Sequence, residues 1–130
     1  MKILGCIIST ILFLLSCSDN NSTDPPIVGK WVLNRYETGV GGNNNPPGQC
    51  EYAMVYHIQN TGQISCINTS NQCGAIGITV VGSWRLSNDS IICRDANGAM
   101  LTPSGKVITS NSTELTISLW NDKYFYKKQN

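Results

Sequence analysis

The residues of this 130-residue chain with the most chemistry in them are six cysteines, one histidine and three glutamates. The cysteines stand at Cys6, Cys17, Cys50, Cys66, Cys73 and Cys93. No two of them make a C-x-x-C, and His57 has no ligand-type neighbour in sequence, so a zinc site is not expected. As the only histidine, His57 would have to activate any serine or cysteine nucleophile, and nothing around it has the pattern for that. Glu37, Glu51 and Glu114 do not fall in a paired acid/base arrangement. The stretch "GVGGNNNPPG" has glycines but no Lys-Ser/Thr and no helix after it, so it does not cradle phosphate. The expectation is a protein without catalytic residues, metal or cofactor. Lys and Arg number 9 against 8 Asp and Glu, with no basic stripe, which argues against nucleic acid as a partner.

The elements that carry these residues begin with a targeting segment. Met1-Lys2 is a short positive start, and Ile3 to Leu15 is apolar but short for a membrane span. It ends in "LLSC", Leu14 to Cys17, which resembles the bacterial lipobox. That resemblance implies cleavage before Cys17 and lipid attachment to it. Residues 1–16 are then a signal peptide and 17–26 a lipidated tether. Ser18 to Pro26 would reach at most ~30 Å, with Pro25-Pro26 stiffening its far end. Ser18 after the cysteine leans toward the outer membrane of a Gram-negative envelope, on its periplasmic side or at the cell surface. The expected membrane contact is the lipid on Cys17.

With Cys6 removed and Cys17 lipidated, four cysteines remain in an exported domain, and two disulfides are the natural reading. Three connectivities are open; the favoured one joins Cys50 to Cys73 and Cys66 to Cys93. The rest of the chain, 27–130, reads as one all-β domain: short alternating runs separated by turn signals, with no helical period. In "IVGKWVLNRYE" the residues Ile27, Gly29, Trp31 and Leu33 share a face. "CEYAMVYHIQ" places Tyr52, Met54, Tyr56 and Ile58 together, with His57 on the opposite, Val55 face. "IGITVVGSWRLS" aligns Ile78, Val80, Trp84 and Leu86. Cys66 and Cys93 fall on the Ile64 and Ile91 faces, expected to point inward. About eight strands in meander order suit an antiparallel barrel, which hides every sheet edge; a β-sandwich is the alternative.

One pattern occurs twice, "GKWVL" at Gly29 to Leu33 and "GSWRL" at Gly82 to Leu86. Behind a lipobox, with Cys50 opening the second strand and "YFYKK" at Tyr124 to Lys128 closing the chain, this order is similar to the lipocalin-like domains of bacterial lipoproteins. The resemblance spans Ile27 to Lys128. It implies a barrel with a tryptophan plugging its narrow end. The β pattern, the inward aromatics and the absence of catalytic residues point to non-catalytic binding of a small apolar ligand inside the barrel, for which Trp31, Tyr52, Tyr56 and Trp84 are the candidates. The second function class is an interaction or inhibitor module for another envelope protein, acting through loops such as Thr38 to Gln49. Trp120, opposite Leu119 in the alternation, is expected to be an exposed aromatic.

Overall fold

The computed structural model describes residues 25–42 and 46–130. The expected signal peptide, Cys17 and the tether as far as residue 24 lie outside the described residues. Eight strands follow in chain order: β1 (Gly29–Glu37), β2 (Met54–Ile58), β3 (Gln63–Asn68), β4 (Gly77–Ser87), β5 (Ser90–Asp95), β6 (Met100–Ser110), β7 (Glu114–Leu119) and β8 (Asp122–Gln129). A single helical turn, α1 (Gln49–Tyr52), precedes β2, and a 3₁₀ turn spans Asn71–Cys73. No helix among the described residues is long and apolar enough to cross a membrane.

Each strand pairs antiparallel with the next, and β8 returns to β1, with Trp31 opposite Lys128 and Leu33 opposite Tyr126. The ring is closed, so the sandwich alternative is set aside. Closure leaves no unpaired edge, the physical hazard of a chain made of short β-rich runs. Period-2 alternation then sorts each strand into an inner and an outer face. The inner core runs through Trp31, Leu33, Tyr56, Ile58, Ile64, Ile91, Leu115, Ile117 and Tyr126.

The two ends of the barrel differ. At the tether end the strands are joined by tight turns, and Trp31 fills the interior without any exposed surface. Its indole N–H donates to Ile27 O at 2.7 Å. Lys128 lies over the ring with Nζ 5.4 Å from the centroid and donates to Val28 O at 2.9 Å. Gly29 makes this closure possible. It sits at φ +148°, and a Cβ there would lie 2.4 Å from Lys128 Cε. At the loop end lie the long β1–β2 connection with α1, the 3₁₀ turn, and the β7–β8 hairpin.

Bulges decide which way several side chains point. In β1 the register shifts between Leu33 and Arg35, so Tyr36 turns inward opposite Tyr124. Opposite Cys66 and Ile67 the register of β4 also shifts, and Ile78 pairs with Ile67 on the outer face. The expected alignment of Ile78 with Val80 is therefore corrected: Ile78 is 66% exposed. In β6 the segment between Leu101 and Gly105 is extruded relative to β5. Ser104 Oγ satisfies the interrupted ladder by accepting from the Cys93 amide at 2.9 Å and donating to Leu101 O at 2.5 Å.

Candidate binding mouth

The loop end of the barrel is where polar and apolar groups converge around empty space. One cavity of about 290 Å³ is lined by Glu51, Met100, Leu101, Thr102, Ser104, Ile117, Leu119, Tyr124 and Tyr126. A second, of about 220 Å³, is lined by Cys50, Glu51, Met54, Tyr56, Cys66, Thr79, Val80, Leu101 and Thr102. Glu51, Leu101 and Thr102 wall both. Each volume falls below the ~300–1,000 Å³ usual for small-molecule sites, so either one suits only a small occupant. A further groove of about 370 Å³ lies at the tether end between Pro25 to Ile27 and Leu86, Val107 and Ser110. Asn88 and Asp89 also line it, and no tyrosine does.

Glu51 reaches the mouth because residues 48–53 coil. The Glu51 amide donates to Gly48 O at 3.0 Å, Ala53 N to Cys50 O at 3.2 Å, and the Gly48 amide to Glu51 Oε1 at 3.3 Å. The turn is tied on both sides. Cys50 and Cys73 form the expected disulfide, with Cα atoms 5.4 Å apart, and Thr69 bonds back to Ala53 O through its amide and its hydroxyl. The local i→i+3 bonds overturn the expected placement of Tyr52 beside Met54 and Tyr56. Tyr52 ends the helical turn, 39% exposed, and lines neither cavity.

Inside the mouth the tyrosines are stacked in pairs. Tyr36 and Tyr124 have ring centroids 5.2 Å apart at 58°, and Tyr56 meets Tyr126 edge-on at 5.8 Å. Burial pushes the Tyr56, Tyr124 and Tyr126 hydroxyls above the ordinary 10.0, and the Glu51 carboxylate adds to the rise in all three. They are neutral donors and acceptors at physiological pH.

The second expected disulfide is absent. Cys66 and Cys93 are both buried free thiols. The reason is register. β4 lies between β3 and β5, which puts those two strands about 10 Å apart. Cys66 faces Val80 and Cys93 faces Trp84, four residues further along β4, or about 13 Å. A bridge needs Cα atoms within ~7 Å. Burial raises the Cys66 thiol to about 11 and the Cys93 thiol to about 12.

Of the aromatic candidates, Tyr56 alone lines the mouth. Trp31 is the plug of the opposite end. Trp84 is half-buried against the core, its indole N–H donating to Gln59 O at 2.7 Å in the β2–β3 turn. Glu51, Tyr124 and Tyr126 complete the site and were not singled out from sequence. For the two tyrosines the signal existed, because "DKYFYKK" alternates Asp122, Tyr124, Tyr126 and Lys128 on one face. His57 is on the outer face between Lys30 and Ser65. Among the described residues no cluster of three or more His, Cys, Asp or Glu is placed to hold a metal.

Comparison with known proteins adds a fold and little more. No family model and no curated protein matches the chain. Its structure is similar to a lipocalin-like protein from Bacteroides uniformis ATCC 8492, with TM-score 0.57 and 17% identity over 81% of this chain and 100% of that one. It is also similar to an uncharacterized protein from Bacteroides eggerthii DSM 20697, with TM-score 0.57 and 15% identity over 78% and 98% of the two chains. The fold is a lipocalin-like barrel.

Proposed function

We propose that the barrel binds a small, mainly apolar ligand at its loop end, without catalysis. The observation that carries this is the asymmetry of the interior: Trp31 seals one end, while two cavities sharing Glu51, Leu101 and Thr102 stay open at the other. Apolar walls with a few convergent polar groups are the usual make-up of such sites. The test is native mass spectrometry of protein purified from its own host. A co-purifying mass that disappears when Leu101→Trp fills the wall common to both cavities supports the reading. An empty wild-type protein under conditions that preserve other lipocalin-like complexes would sink it.

In this reading the protein is held in the outer envelope by lipid on Cys17, the expectation that the lipobox motif supports. Cys17→Ser should move the protein from the membrane fraction to the soluble fraction and remove the acyl mass from its N-terminal peptide.

One observation favours the alternative of a protein partner. Val40 is fully exposed and Trp120 is 67% exposed. Asn121 Nδ2 donates to Val40 O at 3.3 Å, so both apolar side chains stand on one rim. Loss of an envelope partner from pull-downs with Val40→Ser/Trp120→Ser, at unchanged stability, would favour that alternative.

A further inference from the structure

The charge of the mouth says more about the occupant than its size does. Glu51 is common to both cavities, and neither has a lysine, arginine or histidine in its wall. Asp122, two residues before Tyr124, is also an acid; it is fully buried and accepts from the Gly39 amide at 3.2 Å. The basic residues of β8 near the loop end face away: Lys123 is exposed and pairs across the sheet with Glu37 and Ser118. An anionic ligand would meet a carboxylate and no basic side chain in either cavity wall.

A cation meets the opposite. The carboxylate shares one cavity with Tyr124 and Tyr126 and the other with Tyr56, and the negative face of a tyrosine ring attracts a cation within about 6 Å. Beyond them Met54, Leu101, Ile117 and Leu119 offer an apolar wall. The Gly48 amide donates to the carboxylate at 3.3 Å and the Cys50–Cys73 bridge ties its turn, which favours this placement before any ligand arrives. Pre-set charge of this kind reduces the ordering cost of binding.

Resting on the reading that the mouth binds small ligands, we infer that its occupant carries an ammonium group: an organic amine with an apolar body, its cation on Glu51 among Tyr56, Tyr124 and Tyr126, and its body against Leu101 and Ile117.

The test uses three probes of one shape and different charge: 2-phenylethylamine, 2-phenylethanol and phenylacetate. Each is titrated calorimetrically into the full chain held in uncharged phosphatidylcholine nanodiscs, with empty discs as the blank. The amine should bind at least ten-fold tighter than the alcohol, and phenylacetate weakest. Glu51→Gln keeps the side-chain length and an acceptor for Gly48 N–H. It should bring amine and alcohol within three-fold of each other. Equal binding of amine and alcohol to the wild type overturns the amine preference and leaves the binding reading standing. An amine advantage that survives Glu51→Gln also overturns it. Failure of all three probes to bind overturns both.

Discussion

At the scale of single residues, the cysteines separate into two chemical kinds. Cys50 and Cys73 are oxidised, their bridge joining α1 to the 3₁₀ turn. Cys66 and Cys93 point into the barrel as protonated thiols, because removing them from water penalises the thiolate. Alkylating reagent should reach Cys66 and Cys93 only after denaturation, and Cys50 and Cys73 only after reduction as well. Labelling of Cys66 or Cys93 in the native protein at neutral pH would contradict this. The same shifts set a direction for stability against pH. Both folded thiols hold their proton above the ordinary 9.0, to about 11 and about 12. Between pH 9 and about 12 the unfolded chain therefore releases protons that the folded one keeps. Their stabilising contribution is complete below pH 9 and is lost as pH rises through that window. Denaturation midpoints should fall over that range, and Cys66→Ala/Cys93→Ala should flatten the fall, with the buried tyrosines accounting for the remainder. That Cys66 and Cys93 face inward was legible in the alternation around Ile64 and Ile91. That they cannot meet was not, because it depends on the offset of two pairings along a third strand.

At the scale of elements, the parts that strand periodicity missed are the parts that shape the mouth. α1 is a single turn whose bonds run within residues 48–53, and its sequence alternates as well as a strand does. Only the anchoring of Cys50 to Cys73 and of Thr69 to Ala53 selects the coil. Replacing the bridge by Cys50→Ser/Cys73→Ser should cost about 3 kcal/mol in denaturant unfolding, the chain-entropy value for a loop of this length. It should weaken ligand binding along with stability if the turn positions Glu51. The β7–β8 hairpin is a second case. Leu119 pairs with Asp122, leaving Trp120 and Asn121 as a two-residue turn with φ of +56° and +68°. This is the primed geometry that suits the twist of antiparallel strands, yet Trp is an unusual residue for it. A bulky L-residue there carries about 1–2 kcal/mol of steric cost. Trp120→Asn should therefore raise the unfolding midpoint, equivalent to about 1 kcal/mol. A fall in stability would show that the exposed indole makes a contact the fold depends on.

At the scale of the whole molecule, the barrel stands on its closure. β1 and β8 are about ninety residues apart in sequence, and their pairing completes the ring. Removing Tyr124 to Asn130 should abolish cooperative unfolding rather than lower its midpoint, since it frees two edges and empties the core of Tyr126 together. Trp31→Ala should cost about 3–5 kcal/mol, the usual range for deleting a fully buried large aromatic.

What the sequence determined by itself was the class of object. Period-2 alternation, turn residues between short runs and the two G-x-W strands are local features, and they pointed to an all-β antiparallel domain, a barrel with a sandwich as the alternative. The resemblance to lipocalin-like domains implied a tryptophan plug, and Cys50–Cys73 belonged to the favoured of three open connectivities. What only the tertiary structure decided was the interior. The bulges in β1, β4 and β6 shift which residues face in, and the coil at α1 carries Glu51 over the opening. The register across three strands keeps Cys66 and Cys93 apart. Alternation reports a residue's face relative to its neighbours along one strand. Which faces meet across an enclosed space is set by pairings between distant segments, and a carboxylate among tyrosines exists only once the ring has closed.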